Sequence, residues 1–255
     1  MKVVILAGGL GSRLGTMTEY IPKPMAKIGE RPILWHIMKN FAAQGVNQFV
    51  ISLGYKGEVI KDFFYNYQSH TKDFTVSLKT GDLQLHNKCE EDWQVTCVDT
   101  GVNALKGARV KKIEAFLDDV NILTYGDGLA DIDIPALIEF HKSHNKLMTV
   151  TGVYPPSLFG EIDESEGTVT SFVEKSQMTK GLINGGFMVF NRQVLDYLTT
   201  DDNCDLEIGL MEQLAKDRQI MVYKHLGNWY CMDQQRDFQH LNKLWANNTA
   251  FWKNW

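Results

Sequence analysis

The first apolar run of this chain ends in a glycine turn, and that junction constrains what the rest can fold into. Val3–Ala7 reads VVILA and predicts a strand buried on both faces, as inside a parallel sheet. Gly8, Gly9 and Gly11 follow, then Ser12 and Arg13. Glycines at a strand end let backbone N–H groups approach an anion, because no Cβ stands in the way. Arg13 can fork onto phosphate oxygens, and Lys23, in Pro22-Lys23-Pro24-Met25, adds a point charge. The pattern predicts a triphosphate cradle of neither common kind. Gly11-Ser12-Arg13 lacks the lysine of a Walker loop, and Leu14 stands where a dinucleotide fingerprint needs its last glycine. A strand-to-helix turn with an unrelated basic pair is the alternative.

Strand and helix patterns alternate through the first half. Ile33–Ala43 has helical spacing, Phe49–Leu53 reads as a strand, and Gly57–Tyr67 as a helix. Val95–Val98 predicts a strand, Ala104–Leu117 a helix, and Ile122–Tyr125 a buried strand running into Gly126-Asp127-Gly128. Such alternation predicts an α/β fold with a doubly wound, mostly parallel sheet and its ligand at the carboxyl ends of the strands. Val76–Lys79 and Leu83–His86 flank Thr80-Gly81-Asp82 as a hairpin. Beyond Met148 the strands Met148–Tyr154, Val169–Glu174 and Gly186–Phe190 predict small antiparallel insertions. Helices are predicted at Ile208–Lys216 and Phe238–Ala246. No linker or repeat divides the chain, so one unit over 1–255 is expected. Its N-terminal part, about 1–130, would bind the nucleotide and 131–255 the acceptor. The tail Phe251–Trp255 either packs back on the body or, if exposed, marks an oligomer contact.

A net charge of −5 argues against a nucleic-acid-binding surface but not against a nucleotide pocket with local Arg and Lys. The N-terminus enters a strand directly and no apolar run nears the length of a membrane span, so no membrane partner is expected and a cytoplasmic location is. The four cysteines, Cys89, Cys97, Cys204 and Cys231, lack paired spacing and read as free thiols.

Asp127 follows an apolar strand between two glycines, well placed to hold Mg²⁺ over a phosphate; a turn carboxylate is the alternative. Asp233, after Trp229–Met232, is the candidate second carboxylate, or else a helix N-cap. Asp131 and Asp133 are candidate caps of the helix from Pro135. Glu174-Lys175 can take a hydroxyl and the phosphate of a second substrate, or form an exposed ion pair. Asn184-Gly185-Gly186 can meet a sugar, or be a plain turn. Gly54-Tyr55-Lys56-Gly57 and Asp99-Thr100-Gly101 share the same sheet edge, where Thr100 can read a base. Arg109 either reaches a phosphate or is a solvated helix charge. His36, His141 and His144 form no triad or zinc pattern and read as surface or packing residues. No G-x-S-x-G elbow occurs.

In order and spacing, VILAGGLGSRL, PKPM, GYKG, LTYGDGLADIDI, SFVEK, INGGFMVFN and MD with RD three residues on resemble the sugar-1-phosphate nucleotidylyltransferases, most closely their glucose-1-phosphate cytidylyltransferase branch. The resemblance spans nearly the whole chain. It implies a nucleotide-diphospho-sugar transferase fold, CTP and α-D-glucose 1-phosphate as substrates, Mg²⁺ as cofactor, and homo-oligomers, often hexamers. It assigns Gly8, Gly9, Gly11, Ser12, Arg13 and Lys23 to CTP phosphates and ribose, Thr100 and Gly101 to the base, and Asp127 and Asp233 to the metal. Glu174, Lys175, Asn184 and Gly185 fall to the sugar phosphate. Leu6 and Arg109 complete the nucleotide set, and Tyr125 and Gly126 the acceptor set, with Arg13 and Lys23 as catalytic charges. Four positions depart from the family pattern: Ile21 replaces a lysine, Leu158 an arginine, Ser176 a proline and Gln234 a threonine. Three of them fall in the acceptor half, so nucleotidyl transfer is better founded than glucose as acceptor. The competing readings are another nucleotide or acceptor, a non-catalytic regulatory subunit, and a redox enzyme. Retention of Arg13, Lys23, Asp127 and Asp233 counts against the second, and the broken fingerprint against the third.

Overall fold

A computed structural model describes residues 1–86, 90–155, 161–173 and 181–255, with the side chains of residues 12, 13, 16, 17, 161, 172 and 173 excepted. The apolar runs become the strands of a central sheet: β1 (Val3–Ala7), β2 (Gln48–Leu53), β3 (Gln94–Asp99) and β4 (Val120–Tyr125). After the short strand β5 (Gly128–Ala130) come β6 (Met148–Val153), β7 (Ile183–Asn191) and β8 (Ile220–His225), and then β9 (Trp229–Cys231). The seven-stranded sheet runs β8-β6-β7-β4-β1-β2-β3. β4, β1, β2 and β3 are mutually parallel, β8 is parallel to β6, and β7 is antiparallel to both neighbours. This is the mixed, mostly parallel α/β sheet expected from the alternation.

Alternate residues of β1 enter different cores, as a sheet covered on both faces requires. Val3, Ile5 and Ala7 pack with Ile33, Leu34, Ile37, Met38 and Phe41 of helix α1 (Ile33–Ala42). Val4 and Leu6 pack with Val110 of helix α3 (Lys106–Lys112) and with Leu206 and Leu210. Helix α2 (Gly57–Tyr65) stops two residues short of expectation, and a separate turn of helix covers Tyr67–Thr71. α3 likewise spans only Lys106–Lys112, followed by a tight turn at Glu114–Phe116. The helix expected from Ile208 begins at Glu212, because Gly209 at φ 122° lies outside helical space. The hairpin pairs Phe74–Val76 with Leu83–Leu85, and Ser77 to Gly81 form its turn.

Two further helices complete the layers, α4 (Ile134–His144) and α5 (Gln235–Ala246). Asp133 caps α4, accepting from the Ala136 N–H at 2.9 Å. Asp131 does not cap; it accepts from Asn228 at 2.7 Å and pairs with His225. α5 is capped by a box in which the Gln234 side chain accepts from the Asp237 N–H and Asp237 answers the Gln234 N–H. The tail packs back: Trp252 is fully buried, its carbonyl accepting from Asn40 at 2.8 Å. Among the described residues no helix is long and apolar enough to cross a membrane.

Candidate active site

The carboxyl ends of β1, β2, β3 and β4 converge on a set of glycine turns. Gly8 sits where the chain leaves β1, and a Cβ there would lie 2.1 Å from the Arg109 Nη1. Its glycine is thus required by a buried guanidinium. Arg109 donates through Nη1 to the Leu53 carbonyl at 2.9 Å and the Thr100 hydroxyl at 2.8 Å. Nη2 reaches the carbonyls of Gly8 at 3.0 Å and Val102 at 3.2 Å. Only 4% exposed, Arg109 is not a solvated helix charge; burial presses its pKa below the usual arginine range. Its guanidinium thus ties three backbone carbonyls and the Thr100 hydroxyl together and braces this edge of the sheet from beneath.

Thr100 is held at the same strand end. Its hydroxyl donates to the Leu53 carbonyl at 2.6 Å and its N–H to the same carbonyl at 3.0 Å, and the residue is buried. Gly101, held by Asp99 at 2.9 Å, keeps its place at the rim of the edge. Leu6 is a core residue whose carbonyl accepts from the Gly126 N–H. The Gly54–Gly57 turn folds over the segment after the glycine turn: Tyr55 donates to the Thr18 carbonyl at 3.0 Å, and Lys56 bonds the Glu19 carbonyl. Gly9 is open to solvent. The side chains of Ser12 and Arg13, and Glu174, Lys175, Leu158 and Ser176 altogether, lie outside the described residues.

Lys23 is fixed from both sides. Pro22 and Pro24 set the tight turn Lys23–Met25, whose residues are all buried. Gly11, at φ 65°, lets the Lys23 Cβ approach to 2.9 Å from where its own would stand. Pro24 covers Gly126, at which a Cβ would be 2.9 Å from the proline ring. The ammonium so placed donates to Asp127 Oδ2 at 2.5 Å and Asp233 Oδ1 at 2.6 Å. Burial opposes the charge, but Asp127 and then Asp233 outweigh it and hold the Lys23 pKa above its ordinary value.

Asp127 and Asp233 meet through a ladder too short to read from sequence. β5 pairs antiparallel with β9, Gly128 opposite Cys231, and the Met232 N–H donates to the Asp127 carbonyl at 2.9 Å. Both carboxylates therefore lie at the same end of the ladder, Asp127 just before β5 and Asp233 just after β9. Asp233 is not the N-cap of α5; Gln234 is. Ligand atoms of Asp127, Asp233 and Cys231 lie within 4.8 Å of one another. Burial and the neighbouring Asp127 push the Cys231 thiol well up, so it stays protonated and the charged donors are two carboxylates. Half-buried paired carboxylate oxygens fit a hard divalent cation.

On the other side of Asp127, Tyr125 donates to Glu207 Oε1 at 2.6 Å and accepts from Asn184 Nδ2 at 3.2 Å. Asn184 is oriented by the Gly186 N–H at 3.0 Å, and the Gly185 carbonyl accepts from Trp229 Nε1 at 2.7 Å. Tyr125, Gly126, Asn184 and Gly185 thus border the carboxylate pair together. Lys106, 2.5 Å from Glu207 Oε1, joins them. Sequence reasoning missed Glu207 and Lys106; a lone carboxylate inside Leu206–Met211 is the signal that was available.

The chain matches the family described as Nucleotidyl transferase over residues 2–246. It belongs to that family. It is 45% identical over 257 residues to the glucose-1-phosphate cytidylyltransferase of Salmonella typhi, and 41% identical over 256 residues to a probable glucose-1-phosphate cytidylyltransferase of Bacillus subtilis. Both alignments cover all of each protein. Among solved structures, HddC from Yersinia pseudotuberculosis complexed with GMP-PN superposes with TM-score 0.68 at 23% identity, over 96% of this chain and 99% of that one. A UDP-glucose pyrophosphorylase complexed with UDP-glucose gives TM-score 0.67 at 17% identity, over 97% and 98%. These likenesses show the fold of the nucleotide-diphospho-sugar transferases. The chain is a nucleotidyltransferase.

Proposed function

We propose that the protein transfers the cytidylyl group of CTP to a sugar 1-phosphate, with α-D-glucose 1-phosphate the first candidate, giving a CDP-sugar and pyrophosphate. The observation that carries this reading is the Lys23–Asp127–Asp233 cluster at the carboxyl ends of the sheet. The full-length identity to proteins named for that activity supports it. Mg²⁺ is the proposed cation for Asp127 and Asp233; when bound it would neutralise phosphate charge.

An acceptor phosphate oxygen attacks the α-phosphorus in line; the new P–O bond forms as the bond to the bridging oxygen breaks, its electron pair leaving on pyrophosphate. A phosphate monoester has its second pKa near ~6, so the nucleophile is already ionised at neutral pH and no general base is needed. The chain's task is to hold two polyanions together and offset their charge. Lys23 supplies the buried cation on the Asp127 side, and the backbone at Gly8, Gly9 and Gly11 lets phosphates approach. Arg13 is assigned to the leaving group, and Glu174 and Lys175 to the acceptor, on their sequence positions. Tyr125, Asn184 and Gly185 form the described part of the acceptor side. Gln234, one of the departures from the family pattern, spends its side chain capping α5. A homo-oligomer and a cytoplasmic location complete the proposal.

Pyrophosphate release measured with Mg²⁺, over CTP, UTP, dTTP, ATP and GTP against several sugar 1-phosphates, tests it. Release confined to CTP with glucose 1-phosphate is expected. Silence with every pair would overturn the reading and favour a regulatory subunit.

A further inference from the structure

Glu207 shares its hydrogen bonds unevenly. Tyr125 donates to Oε1 at 2.6 Å and the Lys106 ammonium meets the same oxygen at 2.5 Å. The other oxygen, Oε2, is buried and has no partner among the described residues. A buried carboxylate oxygen left unpaired costs more than almost any other polar defect of its size, and native proteins keep one where something else completes it.

The carboxylate is also held firmly. Asp205 accepts from the N–H groups of Glu207 and Ile208, at 2.9 and 3.0 Å, and fixes the backbone that carries it. Lys106 lies over the Tyr125 ring at 5.6 Å, so the three side chains brace one another. Tyr125 stands two residues before Asp127 and is bonded to Asn184. A Cβ on Gly128 would lie 4.0 Å from the Gly185 carbonyl, which puts this network beside the carboxylate pair, on the side assigned to the acceptor.

A carboxylate oxygen only accepts. Its missing partner must be a donor, and an acceptor sugar carries donors of one kind, hydroxyl groups. We propose that Glu207 Oε2 accepts a hydrogen bond from one hydroxyl of the sugar ring of the sugar 1-phosphate, and so sets which sugars the enzyme takes. This assignment rests on the functional reading above. It makes Glu207 a specificity residue: it takes no proton and touches no reacting phosphorus. Loss of one charge-assisted hydrogen bond of this kind is worth about 10- to 100-fold in discrimination.

The test is kcat/KM with CTP and a series of monodeoxy glucose 1-phosphates, each lacking one hydroxyl, for the wild type and for Glu207→Leu and Glu207→Gln. In the wild type, one deoxy analogue is expected to lose about 10- to 100-fold. Glu207→Leu is expected to lose a similar factor with glucose 1-phosphate, through KM for the sugar phosphate with KM for CTP unmoved, and to show no further loss with that analogue. Glu207→Gln keeps the side-chain shape and an acceptor oxygen but not the charge, so if the leucine variant does not fold it is expected to shrink the deoxy penalty, and an unchanged penalty in it counts against the assignment. The assignment is overturned if no analogue is penalised in the wild type, or if the penalty persists in full in a folded variant. A wild type that turns over no sugar 1-phosphate at all overturns the functional reading, and the assignment with it. A wild type that turns over with additive losses overturns the assignment alone.

Discussion

Lys23 is a cation already seated between the two carboxylates that a metal would use, and this sets what single substitutions should do. Asp127→Asn removes charge from one arm of the pair, and turnover is expected to fall more than ~100-fold, the scale of losing one preorganised electrostatic contact. Steady-state pyrophosphate release reads it. Lys23→Met leaves Asp127 and Asp233 facing each other without their shared ammonium. Its melting temperature is expected to drop in EDTA and to gain more from added Mg²⁺ than that of the wild type. Arg109→Met would strip donors from the Leu53, Gly8 and Val102 carbonyls and the Thr100 hydroxyl. About 3 kcal/mol of stability should go with it, measured by urea denaturation. Arg13, Lys23 and Asp127 could be picked out as charged residues at glycine and proline turns. Arg109 was harder to see. It lies in the basic run Lys106–Lys112, and only its apolar neighbours Ala108 and Val110 hinted that it turns inward.

At the scale of elements, α4 meets β6 and β7 through a ring of hydrogen bonds. The Lys146 N–H donates to His144 Nδ1 at 3.0 Å, and His144 Nε2 lies 2.7 Å from the Thr149 hydroxyl. That hydroxyl lies 2.9 Å from His141 Nδ1, His141 Nε2 lies 3.1 Å from Asn191 Oδ1, and Asn191 Nδ2 returns to the Lys146 carbonyl at 3.1 Å. The ring closes only with both imidazoles neutral: His144 donates to Thr149, Thr149 to His141, and His141 to Asn191. Burial lowers both pKa values, and it lowers that of His36, bonded to the Ile28 carbonyl under the C-terminal aromatics, from 6.5 to about 4. Histidines held neutral in the fold contribute stability above pH ~6.5, and that contribution is lost as pH falls. His36 alone is worth about 2 kcal/mol between pH 7 and pH 5 by this linkage. Urea midpoints at the two pH values should differ accordingly, and equal midpoints would contradict a His36 held neutral in the fold. The long elements β1, α1, β2 and β4 were legible because several apolar positions repeat in each. β5 and β9 were not, because three residues carry no period and the pairing joins segments about a hundred residues apart. The ladder that unites Asp127 with Asp233 therefore had to be seen in three dimensions.

Over the whole molecule, the two ends of the sequence share one core. Trp252 is fully buried, its ring 6.1 Å from that of His36 and stacked 6.4 Å from Trp245. Trp252→Ala should cost about 3–5 kcal/mol, read as a lower urea midpoint with unchanged slope. The doubly wound order was legible from strand–helix alternation, whereas the place of the tail was not, since the aromatic stretch fits an exposed contact equally well by pattern alone. His36 and Trp252 are 216 residues apart in the chain. At ordinary translation speeds that is roughly 10 to 40 seconds during which the outer face of α1 has been made and its cover has not. A nascent chain therefore presents an uncapped greasy helix to solvent for most of that interval, and yield on overexpression should depend on chaperone supply more than on the stability of the finished fold.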